Sequence, residues 1–248
     1  MSGHSKWATI KHKKGATDAK RAKVFAKLIR QVEVAAREGG ADPEMNPALR
    51  TMFQKARDQS VPLDTIEKAI KRGAGQLEGV AYESITYEGY ASGGVALLVD
   101  VLTDNRNRSG SDVRSVFTKR GGSVAEPGAV AWQFDRKGTM LVDGAVAEDD
   151  LMLAAIDAGA EDITREGDYW RVTTGPTDLH AVRTAVEEAG YKVEESDLTM
   201  VAQNLVTLDD KSAAKKVLDL VDALDDLDDV QAVHGNFDIT DDVLAELG

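Results

Sequence analysis

The sequence predicts an α+β protein: an N-terminal three-helix bundle followed by two α+β domains, the last ferredoxin-like and inserted in the middle one. Three observations carry this. Apolar residues recur at helical spacing from Thr17 to Gly73, punctuated by caps and glycine stops. Between Thr139 and Val201 the pattern reads β-α-β-β-α-β, the split βαβ order. The strand-helix-strand series after Leu205 has no partners of its own, so it is expected to complete the sheet that starts at Tyr82. The expected domains are a basic helical domain at 1–78, a discontinuous α+β domain at 79–136 plus 204–248, and an inserted ferredoxin-like domain at 137–203.

In chain order, Met1 to Gly15 shows neither helical nor strand period, and its glycine and serine breaks predict an extended arm. From Thr17, Phe25, Leu28, Ile29, Val32 and Ala36 recur at i, i+3, i+4, i+7 and i+11, predicting a helix that stops at Gly39-Gly40. Asn46-Pro47 is a cap followed by proline at the first helical position, and Leu49, Met52, Phe53 and Ala56 give the second helix its apolar face. Pro62 and Asp64 open a third, carrying Leu63, Ile66 and Ile70 and ending at Gly73. The second and third helices also match a helix-turn-helix, a pattern common to many bundles.

Beyond Gly75 the period changes. Tyr82–Tyr87 and Val95–Leu102 read as a hairpin across GYASGG, a helix with Val113, Val116 and Phe117 inward follows TDNRNRSGSD, and Val130–Phe134 reads as the next strand. Thr139–Val142, a helix Glu148–Ala158, Asp162–Thr164, Tyr169–Thr173, a helix Thr177–Ala189 and Val193–Val201 then spell the inserted domain. Leu205–Leu208, a helix Lys211–Leu224 and a strand Val230–Phe237 close the chain.

Composition narrows the function classes. With 248 residues, 42% hydrophobic and 29% charged, the chain has an ordinary globular balance. It has no cysteine, which excludes disulfides, thiolate nucleophiles and Cys-ligated metal centres. No apolar run reaches the roughly 18 residues that span a bilayer, so no membrane partner is expected. Without a secretory leader, the chain is read as cytoplasmic.

Charge is distributed far from evenly. From Lys6 to Arg30 nine cations face one anion, Asp18, and residues 1–75 carry +8. The other 173 residues carry −21, which together give the net −13. A chain so polarised is expected to meet a polyanion with its front end. The candidate phosphate contacts are Lys6, Lys11, Lys13, Lys14, Lys20, Arg21, Lys23, Lys27 and Arg30, with His12 among them. Trp7 is either a base-stacking aromatic or an anchor for the arm. Lys20, Lys23, Lys27, Arg30 and Arg37 form a stripe opposite the apolar face.

A second candidate is Asp104-Asn105-Arg106-Asn107-Arg108, where a strand gives way to a helix. Arg106 and Arg108 there can grip phosphate as bidentate forks, or the segment simply caps the helix. Tyr87 and Tyr90, beside the glycine turn, offer either stacking surface or packing.

Enzyme constellations are missing from the sequence. His4, His12, His180 and His234 lack metal-ligand spacing, no Walker Lys-Ser/Thr follows a glycine-rich stretch, and no G-x-S-x-G elbow occurs. No catalytic residue, metal, cofactor or small-molecule substrate is therefore expected. Asp225-Asp226 and Asp228-Asp229 read as solvated surface rather than a cation site. The acidic remainder of the chain is expected to repel nucleic acid and so confine it to the basic end.

Specific motifs add to this reading. MSGHSKWATIKHKK, DAKRAK, FAKLIR and VAAREGGADPEMNPALR, continued by YEGYASGGVALLVDVLTDNRNR, resemble the YebC/PmpR family. That family includes the mitochondrial translational activator of cytochrome c oxidase subunit one. Ala22 in KRAK, and GYASGG in place of GYGPGG, depart from its usual pattern. The resemblance implies a non-enzymatic regulator of gene expression, as either a DNA-binding transcriptional regulator or a ribosome-associated translation factor. The competing reading is a protein-interaction module that docks an acidic partner through the basic end.

Overall fold

The structure, a computed structural model, describes residues 18–247, with side chains from residue 21 onward. These residues form an α+β fold with eight helices and sheets whose strand pairs are mostly antiparallel. They fall into two compact units, residues 80–135 with 200–247 and residues 18–79 with 136–199.

In the second unit, α1 (Asp18–Gly39), α2 (Pro47–Asp58) and α3 (Leu63–Gly73) make the predicted bundle. Its core is Leu28, Val32, Ala35, Ala36, Leu49, Ala56, Val61, Ile66 and Ala69, the helical stripes read from sequence. Asn46 does two jobs: its side-chain oxygen caps α2 by accepting from the Leu49 N–H at 3.0 Å, while its Nδ2 donates to the Ala35 and Gly40 carbonyls. It thereby ties the end of α1 to the start of α2. Gly73 is required by packing, because a Cβ there would lie 2.2 Å from the Glu33 carbonyl oxygen.

The same unit contains β4 (Phe134–Asp143), α5 (Glu148–Ile156), β5 (Ala160–Glu166), β6 (Tyr169–Thr174), α6 (Leu179–Glu188) and β7 (Val193–Ala202). The sheet order β5-β6-β4-β7 is the ferredoxin-like order. Met140, Val142, Trp170 and Val172 on the sheet pack against Leu151, Ala155, Leu179, Val182 and Val186 of the helices. The bundle and this sheet keep separate apolar cores. What joins them is charge: the Arg183 guanidinium of α6 donates to Asp58 of α2 at 2.8 and 3.1 Å, and Lys55 of α2 pairs with Asp197 of β7.

In the first unit, β1 (Glu83–Tyr90) and β2 (Ala96–Thr103) form the expected hairpin, with Tyr90 opposite Ala96. The turn runs through Gly93 and Gly94, both at φ +76°, a conformation that side chains other than glycine rarely adopt. The sheet order is β3-β1-β2-β9, where β3 is Ser123–Ala125 and β9 is Val230–Gly235. One face packs on α4 (Arg106–Lys119) and α7 (Lys211–Asp225) through Val113, Phe117, Val217, Leu220, Val221 and Leu224.

Several expectations are corrected. Val130–Phe134 is not a strand: Ala131–Gln133 is a short 3-10 turn and β4 starts at Phe134. The buried Glu88 carboxylate of β1 accepts the Gly128, Val130 and Ala131 N–H groups at 2.6, 2.6 and 2.9 Å, so those donors are unavailable to a ladder. Nor does α4 follow TDNRNRSGSD. It begins inside that segment, at Arg106, because the Asn105 side chain caps it by accepting from the Arg108 N–H. The final strand is two: β9 joins the main sheet, whereas β10 (Phe237–Ile239) pairs in parallel with β8 (Val206–Leu208) as a separate ribbon. A last helix, α8 (Asp241–Leu247), lies beyond the elements the pattern predicts.

Candidate nucleic-acid interface

The cationic helix is built as its sequence dictates. Leu28, Val32, Ala35 and Ala36 of α1 turn into the bundle, and the helical period then carries Lys23, Lys27 and Arg30 to the other side. Lys23 is exposed, and Lys27 and Arg30 are half-buried. Arg21 lies instead on the apolar side, exposed near the helix start, with its guanidinium 5.3 Å from the Phe25 ring centroid. Of the other expected phosphate-binding residues, Lys6, Trp7, Lys11, His12, Lys13 and Lys14 lie outside the described residues, as does the side chain of Lys20. Arg37 is not a simple continuation of the stripe, because it donates to the buried Glu33 at 3.2 Å, and Arg72 of α3 meets the same carboxylate at 2.9 Å. The Arg72 pair ties α3 to α1, and the Arg37 pair lies within α1.

At the start of α4 the two arginines part company. Arg106 is exposed in the first turn. Arg108 is engaged within the protein: its Nη2 donates to Asp104 at 2.8 Å and to Asp229 at 2.7 Å. The same Asp229 oxygen accepts from the Ser109 hydroxyl at 2.7 Å and the Thr103 hydroxyl at 3.1 Å. Burial favours the neutral form of Asp229, but the hydrogen bonds from Arg108, Ser109 and Thr103 outweigh it and hold the carboxyl below its ordinary range. Through that one nitrogen Arg108, although exposed itself, fastens α4 to the turn before β9, while Arg106 stands exposed at the start of the helix.

The aromatics of the hairpin also separate. Tyr87 is half-buried against the main core, while Tyr90 is exposed at the end of β1. Among the described residues, no group of three or more Asp, Glu or His side chains converges as metal ligands. No helix among them is long and apolar enough to cross a membrane. Asp229 and Glu88 escape a sequence reading because their partners are remote in the chain, Ser109 being 120 positions away and Val130 being 42.

Comparison with known proteins places the chain. Residues 5–76 match the family model described as the TACO1/YebC protein N-terminal domain, and residues 82–237 match the TACO1/YebC second and third domain. A probable transcriptional regulatory protein of Halothermothrix orenii is 53% identical over 250 residues, spanning 100% of this chain and 99% of that one. Another so named, from Rubrobacter xylanophilus, is 57% identical over 249 residues with the same shares. The crystal structure of a conserved hypothetical protein from Aquifex aeolicus superposes with a TM-score of 0.86 at 46% identity, covering 95% of this chain and 97% of that one. With both models matched in order along its length, the chain belongs to the TACO1/YebC family.

Proposed function

We propose that this protein is a non-enzymatic, cytoplasmic regulator of gene expression that binds nucleic acid through its basic N-terminal segment. The observation that carries this reading is α1, whose apolar side is consumed by the bundle and which carries Lys23, Lys27 and Arg30 on the other side. A helix of this kind supplies phosphate contacts without base discrimination. The division of labour we propose follows three segments: 1–78 binds, 79–136 with 204–248 supports, and 137–203 spaces the rest.

RNA is the preferred target. A lysine-rich arm with one large aromatic suits irregular, single-stranded or looped RNA better than readout of a duplex groove. A second reading, a DNA-binding transcriptional regulator, is favoured by the names its relatives carry. Two assays separate them: cosedimentation with ribosomes after nuclease trimming, and gel shifts on duplex DNA across a salt series. Retention on ribosomes, with duplex binding that is weak and indifferent to sequence, supports the RNA reading. Sequence-selective duplex binding at moderate salt with no ribosome retention supports the other, and binding to neither removes both.

A further inference from the structure

The ferredoxin-like sheet carries a helix with two apolar sides and uses only one of them. Leu151 and Ala155 of α5 are buried in the core with Met140, Val142, Trp170 and Val172. On the opposite side Met152 is 38% exposed, Leu153 75% and Ile156 48%. The helical period sets these three on one face, with Asp149 one turn before Leu153. Single exposed apolar residues are ordinary, but a helix apolar on both sides is one that is normally covered on both.

Charge around this face has one sign. From Gly138 to Thr164 the chain has seven carboxylates and no lysine, arginine or histidine. Glu148, Asp149, Asp150 and Asp157 are all exposed, and none has an ion pair among the described residues. The first three complement the positive end of the helix dipole, which accounts for them without a ligand. Asp157 has no such account. It is the C-cap, at the negative end, and the last turn of α5 holds no basic residue to offset it. Cations that approach the helix from elsewhere are already matched. Lys137 pairs with Glu161 at 2.7 Å and Lys192 with Glu194 at 2.7 Å. Arg165 donates to the Gly144 and Gly167 carbonyls, with its guanidinium 4.9 Å from the Trp170 ring centroid. Uncompensated charge beside Leu153 and Ile156 is therefore negative.

We propose that the exposed face of α5 is a docking surface for a cationic amphipathic segment of a partner protein, one whose aliphatic residues are flanked by lysine or arginine. The aliphatic side chains cover Met152, Leu153 and Ile156, while the cations meet Asp149, Asp150 and Asp157 and supply the positive charge that the end of the helix lacks. The same electrostatics exclude the other occupants. Nucleic acid or an anionic lipid surface would bring phosphate against these carboxylates. A second copy meeting this face about a two-fold axis would set the same carboxylates against each other. The surface is separate from the basic helix, and the proposal stands whether or not that helix binds nucleic acid.

The test uses the full chain and a fluorescein-labelled peptide of leucine and lysine, roughly five helical turns long, with leucine at helical spacing. Controls are a scrambled peptide of the same composition and one with glutamate in place of lysine. Fluorescence anisotropy is expected to show the patterned peptide binding about 10-fold or more tighter than the scrambled one. Leu153→Ser with Ile156→Ser is expected to lower its affinity about 10-fold or more, as the loss of covered aliphatic surface requires. Asp149→Asn with Asp157→Asn should weaken binding and flatten its salt dependence. Asp225→Asn with Asp226→Asn, acidic but away from α5, should change neither. Circular dichroism and urea midpoints check folding, and Leu153→Lys, at the most exposed of the three positions, gives the same test if the double serine variant is unstable. Equal affinity for patterned and scrambled peptides, or affinity unchanged by the α5 variants, overturns the proposal. So does self-association of the full chain in sedimentation that Leu153→Lys abolishes, which would assign the face to a second copy.

Discussion

Glu88 illustrates how one residue decides a segment. Its burial favours the neutral acid, yet the N–H groups of Gly128, Val130 and Ala131 favour the carboxylate more, and the net effect is a pKa held below the ordinary value. A carboxyl whose pKa is depressed in the folded state stabilises the fold at pH values above its unfolded pKa, and that contribution disappears as pH falls through the folded value. Glu88→Gln is therefore expected to lower stability by about 1–3 kcal/mol at neutral pH, the usual cost of stranding buried donors. Urea denaturation of both proteins from neutral pH down through the acid range should show the difference shrinking as the wild-type carboxyl is protonated. A constant gap would assign Glu88 a packing role instead. Nothing local announces this residue: in YESITYEG it reads as one more polar position of an alternating strand, and the donors it collects lie some 40 positions on. Asp229 is the same case, since a carboxylate in DDLDD reads as solvated surface until Arg108, Ser109 and Thr103 are folded beside it.

At the scale of elements, the legible parts are those where local pattern and burial agree. The α1 and α2 stripes, the Asn46 cap and the β-α-β-β-α-β order are readable because each rests on residues within one or two turns or strands. What the pattern leaves open is which element lies against which, when charge rather than apolar surface makes the join. The contact of α2 with α6 and β7 depends on Arg183, only 7% exposed, meeting Asp58 at 2.8 Å and Ser196 at 2.5 Å, with Lys55 and Asp197 beside them. Arg183 in HAVRTAV looks like an ordinary exposed helix position. Removing one partner of a buried pair leaves the other charge without compensation, which costs about 3–5 kcal/mol. Arg183→Met is expected to destabilise by that order in urea unfolding. Adding Asp58→Asn should then cost far less than it does in the wild-type background, because the uncompensated charge is already gone. Strictly additive losses in the double-mutant cycle would mean that the pair contributes no coupling between α2 and α6.

At the scale of the whole molecule, the governing feature is the separation of charge along the chain, +8 in residues 1–75 against −21 in the rest. That asymmetry is fully visible in the sequence, and it is the part of the functional reading that owes least to the fold. The fold adds which cations belong to a face: Lys23, Lys27 and Arg30 share the side of α1 away from the core, Arg37 is drawn to Glu33, and Arg108 is drawn to Asp104 and Asp229. Phosphate binding by such a front end must release counterions, so affinity must fall steeply with salt. The most direct test is the slope of log affinity against log salt for a short oligoribonucleotide and the full chain. Two triple variants should be compared with wild type, Lys11→Gln with Lys13→Gln and Lys14→Gln, and Lys20→Gln with Lys23→Gln and Lys27→Gln. Each triple is expected to flatten the slope by about 2 units, on the order of 0.7 for each single-strand phosphate that is no longer neutralised. A slope that stays unchanged in both variants would contradict the claim that the cationic front end is what holds nucleic acid.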